Sequence, residues 1–295
     1  MNHTPSVARA LAFMLLASVL LSTMHVIVRY LSTDLHPFVV VFFRNLFGLV
    51  VLLPLLFKNG FCSLATDKPA LYALRISIGL CAMLSWFYAL SKVPVSNATA
   101  LSFSSTIFAT LSAWLFLQER MRIRRWLAII AGLVGVIVVL RPGMEGFNQY
   151  GLLVIASAAS WGISITIVKK LSKTDSTIAI VGWMSIGLSV LSIWPALFVW
   201  QWPNLTQFGL LLVIGGLASG GHFCMTNAVR IADMATVMSV DFFRLIWAAI
   251  LGYLFFNDVI DAGTVVGAGI IFASAWYIIV REREIEKQEA KTGHT

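Results

Sequence analysis

The chain has 295 residues, of which 59% are apolar and only 12% are charged. A soluble globular domain carries about 25% charged residues, so a water-soluble surface cannot be built from this composition. The mean hydropathy of +0.88 agrees. Together these values exclude a soluble enzyme, a disordered chain and a secreted disulfide scaffold, and they predict an integral membrane protein.

The net charge of +8 does not indicate a nucleic-acid partner, because no basic patch in the sequence is interleaved with aromatic residues. Membrane proteins concentrate lysine and arginine in cytoplasmic loops, which accounts for the excess. Three cysteines cannot form a disulfide framework, and the sequence has no Cys/His cluster with metal-ligand spacing. We therefore expect no metal, no cofactor and no nucleic-acid partner.

The apolar runs of the chain predict ten membrane helices, since a helix needs about 20 apolar residues to cross the hydrocarbon core. The predicted spans cover residues 10–31, 37–57, 69–90, 96–117, 124–140, 149–168, 177–200, 206–228, 234–256 and 262–280. The loops between them are short, and none could fold as a separate domain. The polar residues 282–295 are expected to form a cytoplasmic tail that continues the last helix in frayed form.

The distribution of basic residues predicts the orientation. If the N-terminus lies inside, 15 lysines and arginines fall in inside segments and only Lys92 and Arg141 fall outside. Because basic residues favour the cytoplasmic side, this asymmetry predicts a multi-pass protein of the cytoplasmic (inner) membrane with both termini in the cytoplasm.

The two halves of the sequence repeat at an offset of about 140 residues. The sequence VRYLS at 28–32 meets VKKLS at 168–172, and WLFLQE at 114–119 meets YLFFND at 253–258. Each half holds five spans, an odd number, so the second half must enter the membrane the other way up. The predicted fold is therefore all-α, with ten transmembrane helices as two inverted five-helix repeats (10–143 and 149–281) around a central cavity.

The segment 86–143 also resembles the EamA-type repeat of the drug/metabolite transporter superfamily. The likeness lies in Tyr88-Ala89-Leu90, in Glu119 at the end of the fourth span, in Gly132 and Gly135, and in Arg141-Pro142-Gly143. The second half matches through Trp161-Gly162 and through the segment 252–258. The resemblance implies ten helices around a central cavity and transport of amino acids, nucleotide sugars, vitamins, methylated cofactors or organic acids. Many members carry proline in the fourth and ninth helices, where this chain has Thr106 and no proline in 234–256.

Arg244 is the first candidate for substrate binding. A charge at the bilayer centre costs about 2.5–3.5 kcal/mol on insertion scales and must be offset by a partner, water or ligand. Asp241 lies three residues earlier and would share a helix face with Arg244. Arg244 would bind a substrate carboxylate or phosphate, while Asp241 would hold it or act as a protonatable gate. The alternative is a structural pair that locks two helices together.

Other polar residues within the spans have two interpretations each. Arg44 and Arg75 either line the pathway or extend to the membrane surface, and Arg29, near the outer end of its span, is expected to extend in this way. His25 and His222 are candidates for proton coupling or ordinary packing residues.

Four aromatic residues and Asn97 are the remaining candidates for the site. Trp86, Trp161, Phe103 and Tyr88 face the cavity or pack between helices, and Asn97 opens the fourth span where a helix start can meet an anion. Glu119 and Asp258 end repeat-related spans and are expected to be latch or interface residues.

These observations predict a secondary transporter for a small polar metabolite, either an organic anion or a zwitterion such as an amino acid. No nucleotide-binding motif is present, so a proton, another ion, a counter-substrate or the substrate's own gradient would drive it. One alternative is an exporter of neutral or aromatic amino acids or of drug-like compounds. An intramembrane enzyme and a channel are remoter alternatives, because no catalytic motif or selectivity filter is visible.

Overall fold

A computed structural model describes residues 7–59, 66–117, 123–141, 148–171, 174–175, 177–231, 240, 243–259 and 261–292. Every regular element within these ranges is an α-helix. The helices are α1 (Val7–Leu31), α2 (Pro37–Asn59), α3 (Pro69–Leu90), α4 (Val95–Ser102), α5 (Ser105–Leu117), α6 (Ile123–Leu140), α7 (Gly151–Leu171), α8 (Thr177–Leu191), α9 (Ile193–Leu197), α10 (Leu205–Ile231), α11 (Phe243–Phe256) and α12 (Ala262–Thr292).

Six stretches of the described helices are long and apolar enough to cross a membrane. They are Ala8–Leu31, Pro69–Leu90, Val95–Phe116, Gly151–Val168, Ala179–Leu197 and Leu205–Met225. Four shorter apolar helices accompany them, at Pro37–Val51, Trp126–Leu140, Phe243–Phe256 and Ala262–Tyr277. These segments make the chain a multi-pass helical membrane protein.

The predicted span at 96–117 is not one continuous helix. It divides into α4 and α5 at Phe103 and Ser104, although no proline is present. The hydroxyl of Ser102 donates to the carbonyl of Thr99 (2.7 Å), and that of Ser104 donates to the carbonyl of Leu101 (2.6 Å). Such bonds compete with the helix ladder and bend it. The span predicted at 177–200 is likewise divided, into α8 and α9.

At the end of the chain, α12 continues through the polar residues of the predicted tail to Thr292. Residues 281–292 are mostly Glu, Lys, Arg, Gln and Ala, which are strong helix formers, so the helix extends beyond its apolar part. At the predicted span 234–256, the described helix begins at Phe243, and residues 232–239, 241 and 242 lie outside the described residues.

The helices of the two halves pack mainly against each other, and corresponding helices have corresponding neighbours. In the first half α1 contacts α10 and α11, while in the second half α7 contacts α3, α4 and α5. The contact of α2 with α10 has its counterpart in that of α8 with α3, and α6 packs against α12. The core therefore lies between the halves and draws residues from both, such as Val28, Val40, Leu211 and Ile271.

Apolar side chains on the outside of the bundle match between the repeats. Leu115 and Phe116 are each 62% exposed, and their equivalents Leu254 and Phe255 are each 67% exposed. Apolar surface of this kind is stable against lipid and not against water. The end of α5 and the end of α11 are therefore both positioned to face the bilayer.

The sequence position of Arg29 suggested that its side chain extends to the membrane surface, but the structure places it in an ion pair. Its guanidinium pairs with the carboxylate of Asp258, which follows α11, and lies 4.2 Å from the centre of the Phe256 ring. A second pair joins Arg141, at the end of α6, to Asp261, just before α12. Both ion pairs join the first half of the chain to the second.

Candidate functional site

A cavity of about 180 Å³ lies between the two halves. Its walls come from α1 to α5 in the first half and from α7, α10 and α11 in the second. The lining residues are Leu21, Met24, His25, Arg44, Gly79, Ala82, Met83, Trp86, Phe87, Ser102, Ser105, Ser157, Ala158, Trp161, His222 and Arg244.

Arg44 and His222 join α2 to α10 at the cavity wall. The Nη2 atom of Arg44 lies 3.2 Å from Nε2 of His222, and Nη1 donates to Oδ1 of Asn45 at 2.9 Å. A guanidinium can only donate hydrogen bonds. In this contact His222 therefore accepts at Nε2, and its neutral ring carries the proton on Nδ1.

Arg244 enters the cavity from α11. Its guanidinium carbon lies 5.3 Å from the centre of the Phe103 ring, a cation–π contact at the break between α4 and α5. The carbonyl of Arg244 accepts a hydrogen bond from the hydroxyl of Ser22 (3.2 Å), which ties α11 to α1. Asp241, the predicted partner of Arg244, lies outside the described residues.

His25 faces the same cavity from α1. Its ring meets the ring of Trp86 edge-on, with centroids 5.1 Å apart. The side chain is 8% exposed, and its Nδ1 atom has no hydrogen-bond partner among the described residues. A buried ring nitrogen without a partner is costly unless a ligand or water reaches it.

Trp161 forms part of the cavity wall, and Arg75 lies behind it. Trp161 lines the cavity from α7, and the guanidinium carbon of Arg75 lies 5.7 Å from the centre of its ring. Arg75 is only 5% exposed and stands behind the wall, next to Gly79.

Two of the predicted site residues lie elsewhere. The ring of Tyr88 packs near the rings of His36, Phe38 and Tyr150, with centroids 6.1 to 6.2 Å apart. The Oδ1 atom of Asn97 accepts a hydrogen bond from the hydroxyl of Thr264 (3.2 Å) and so joins α4 to α12. Neither residue lines the cavity.

The structure adds three serines that the sequence interpretation did not single out. Ser102, Ser105 and Ser157 line the cavity, and the hydroxyl of Ser157 donates to the carbonyl of Ala82 at 2.7 Å. Serine within an apolar span commonly lies at a helix interface or a polar cavity. This pattern could have marked these residues, but many other serines of the chain share it.

The described lining of the cavity is rich in basic side chains. Arg44 and Arg244 line it together with two histidines, and none of its described lining residues carries a carboxylate. No group of three or more His, Cys, Asp or Glu within the described residues could hold a metal ion. Guanidinium groups bind carboxylates and phosphates through paired, charge-assisted hydrogen bonds. The arrangement is suited to an anionic group beside aromatic walls.

Several curated proteins are similar to this chain over most of its length. An S-adenosylmethionine uptake transporter of Rickettsia bellii is 34% identical over 93% of this chain and 94% of its own. A riboflavin transporter of Vibrio cholerae is 30% identical over 82% of each chain. A pseudopaline exporter of Pseudomonas aeruginosa is 27% identical over 91% of this chain and 95% of its own.

A solved crystal structure shares the fold. It covers 95% of this chain and 100% of its own, with a TM-score of 0.63 and 17% identity. The model of the EamA-like transporter family matches residues 8–141 and again residues 149–280. Because the relatives are transporters, the chain is a transporter of small molecules and not an enzyme. It belongs to the EamA-like transporter family.

Proposed function

We propose that this transporter moves a small zwitterionic or anionic metabolite and holds its carboxylate between Arg44 and Arg244. The observation that carries the proposal is that both arginines line one cavity, whose described lining residues include no carboxylate. A guanidinium binds a carboxylate through paired, charge-assisted hydrogen bonds, and two guanidinium groups on one cavity wall can hold both oxygens of a carboxylate.

The substrate class can be narrowed by the relatives and by the aromatic walls. S-adenosylmethionine, named for the relative from Rickettsia bellii, is zwitterionic at its amino-acid end, where the carboxylate lies, and it also carries a sulfonium cation and a flat adenine ring. Trp86 and Trp161 line the cavity and offer faces on which such a ring or cation could rest. S-adenosylmethionine is therefore the first substrate to test, and riboflavin and free amino acids come next.

The size of the cavity bears on the mechanism. Pockets that hold drug-sized ligands span about 300–1,000 Å³, and this cavity has about 180 Å³. A metabolite of nucleoside size would enter only if the two halves move apart. We expect this motion to be alternating access, in which the cavity opens to one side of the membrane at a time.

The proposed architecture is ten membrane helices in two inverted repeats, 10–143 and 149–281, with both termini in the cytoplasm. Two observations support it. Corresponding helices of the two halves have corresponding neighbours, and lysine and arginine are concentrated in alternate loops. Loop charge of this kind favours an orientation in the cytoplasmic membrane with those loops inside.

His222 is the proposed coupling residue, with His25 and Asp241 as further candidates. His222 accepts a hydrogen bond from Arg44, so a proton on its Nε2 would displace that guanidinium. Among the residues that the structure describes, the charged or titratable groups near it include Arg44 on α2, Arg244 on α11 and His25 on α1. Added positive charge here would strengthen the attraction for a carboxylate.

The proposal is tested by counterflow in proteoliposomes that are loaded with unlabelled S-adenosylmethionine and receive the labelled compound outside. We expect accumulation by the wild type and at least a tenfold loss of affinity in Arg44→Gln, since truncating a charge-assisted hydrogen bond costs about 1.5–3 kcal/mol. Lys92→Gln is the matched control, because it removes one positive charge from an exposed loop. Equal losses in the two variants would contradict the proposed role of Arg44.

A second candidate function is export of neutral or aromatic amino acids, which the aromatic lining favours. Trp86, Phe87 and Trp161 line the cavity. Such a substrate would depend on these rings more than on a guanidinium. Under this alternative, Trp161→Ala abolishes binding while Arg44→Gln changes it less than threefold.

A further inference from the structure

Arg75 is a buried cation whose hydrogen-bonding capacity is mostly unused. It lies on α3 and is 5% exposed. Its Nη2 atom donates to the sulfur of Met184 at 3.1 Å, and thioether sulfur is a weak acceptor. Within the described part of the chain, its Nε and Nη1 atoms have no hydrogen-bond partner.

Arg75 lies directly against Gly79, a residue of the cavity wall. A Cβ atom added to Gly79 would lie 2.9 Å from Nη1 of Arg75 and 4.0 Å from the hydroxyl oxygen of Ser164. That hydroxyl is completely buried and also has no partner among the described residues. Gly79 and Trp161 both line the cavity. The donor groups of Arg75 and Ser164 that have no partner among the described residues therefore lie directly behind the part of the cavity wall that includes Gly79.

This arrangement is hard to explain as packing. A buried guanidinium without a carboxylate is destabilising, and an apolar side chain of similar size would fill the same space without that cost. A guanidinium fork with two idle donors, a nearby hydroxyl and an aromatic face together match a carboxylate on a substrate. Arg75 and Ser164 therefore have the donor groups of an anion-binding site.

Arg75 contacts Met184, the residue that is equivalent to Arg44 in the second repeat. Arg44 on α2 contacts His222 on α10, and Arg75 on α3 contacts Met184 on α8. In the repeat, α8 corresponds to α2 and α3 corresponds to α10, so the contact of α2 with α10 corresponds to the contact of α8 with α3. Met184 lies 140 residues after Arg44, which is the offset of the repeat. Each of these related interfaces therefore carries one arginine. In the first interface it lies on α2, and in the second it lies on α3, the equivalent of α10.

We propose that Arg75 and Ser164 form a second carboxylate subsite, which takes the substrate from Arg44 and Arg244 when the cavity opens to the other side of the membrane. This inference rests on the proposed function. In the proposed orientation Arg75 lies nearer the cytoplasmic end of its helix, and Arg44 lies nearer the outer end. The substrate is thus bound by a different arginine on each side.

The test measures transport from each face separately, with labelled S-adenosylmethionine and proteoliposomes sorted by orientation. Arg75→Gln is expected to raise the apparent KM at least tenfold from the cytoplasmic face and less than twofold from the outer face. Arg44→Gln is expected to raise the apparent KM mainly from the outer face. Arg75→Lys keeps the positive charge but loses the paired donors of the guanidinium, so its KM from the cytoplasmic face is expected to lie between those of the wild type and Arg75→Gln. Equal effects of Arg75→Gln on both faces would overturn the subsite.

A second measurement separates binding from a structural role. Without ligand, Arg75→Gln should leave the melting temperature in detergent unchanged or raise it, because it removes an unpaired buried charge. Arg141→Gln is the matched control and should lower it, because Arg141 is paired with Asp261. A comparable fall in both variants would overturn the subsite. If the wild type does not transport S-adenosylmethionine, the proposed substrate fails and this comparison still decides the role of Arg75.

Discussion

Gly135 and Gly267 face each other where α6 packs against α12. A Cβ on Gly135 would lie 2.9 Å from the carbonyl oxygen of Gly267, and a Cβ on Gly267 would lie 2.8 Å from the carbonyl oxygen of Gly135. Neither position has room for a methyl group, because backbone cannot give way as a side-chain end can. Membrane helices commonly approach each other on small residues of this kind.

Gly267→Ala should therefore destabilise the protein. The added methyl group would push the two backbones apart, at an expected cost of about 1–3 kcal/mol for an overpacked contact. Gly269→Ala on the same helix is the control, since nothing lies within 4 Å of its Cβ, and we expect a neutral or slightly stabilising effect. Thermal melts in detergent compare the two variants. Equal melting temperatures would mean that the two helices do not approach as closely as described.

The pair of Arg29 and Asp258 gives a second prediction. The two side chains are 20% and 10% exposed, and they join α1 to the end of α11. Asp258→Asn leaves the Arg29 guanidinium partly buried without its counter-charge, so we expect a loss of about 1–3 kcal/mol of stability. Removing both charges, in Arg29→Gln with Asp258→Asn, should restore part of it.

A double-mutant cycle on these two residues isolates their coupling. Asp34→Asn serves as the control, because it makes the same change in an exposed loop and should leave the melting temperature unaltered. If the single and double variants have strictly additive effects, the ion pair contributes nothing to stability.

Asp175 gives a prediction about pH. Hydroxyl groups of Thr174, Thr66 and Tyr72 donate to its carboxylate at 2.6 to 2.8 Å. These bonds favour the ionised form and lower its pKa. A group with a lowered pKa in the folded state stabilises the protein above its unfolded pKa of about 3.9 and loses that contribution as the pH falls through the folded value.

The wild type should therefore melt higher than Asp175→Asn at neutral pH, and the difference should shrink below about pH 4 as the carboxylate takes up a proton. Thr66→Val keeps the carboxylate but removes one donor, which raises the folded pKa of Asp175 towards its unfolded value. In a Thr66→Val background, replacing Asp175 by Asn should therefore cost less at neutral pH, and that cost should be lost completely at a higher pH. Melting curves between acidic and neutral pH measure both effects. A difference that is constant over this range would show that the ionised form has no special role.

The fold was predictable in the segments that must be apolar to lie in a membrane. Apolar runs must be helical in a membrane because backbone groups have no other partners there, and the spans followed from this rule. The break of the helix at Phe103 and Ser104 could not be predicted from this rule, because it depends on hydroxyl groups that donate hydrogen bonds to nearby carbonyls. A serine within a span can do this or remain in a straight helix, and the sequence does not distinguish the two.

The site was predictable in its residue types and not in its contacts. Arg44 and Arg244 are conspicuous because charge is costly within a span. The contact of Arg44 with His222 joins residues 178 positions apart, so it depends on which helices are neighbours. Tyr88 and Asn97 were candidates for the site, and neither lines the described cavity. A buried membrane helix is apolar all round, so its sequence pattern does not indicate which of its side chains face a cavity.

The contact between Arg44 and His222 provides a test of proton coupling. His222→Gln keeps an acceptor for the Arg44 guanidinium but cannot take up a proton. In the wild type, a proton on His222 adds positive charge next to Arg44 and Arg244, so the affinity for a carboxylate should rise as the pH falls. In His222→Gln the affinity should stay constant, with binding at neutral pH within about threefold of the wild type.

Substrate affinity measured across pH by counterflow distinguishes the candidates for the coupling group. His25→Gln is the matched control, since His25 lines the same cavity and contacts Trp86 rather than an arginine. If His25→Gln abolishes the pH dependence and His222→Gln keeps it, the coupling group is His25. If both variants keep it, neither histidine carries the proton, and Asp241 becomes the residue to replace next.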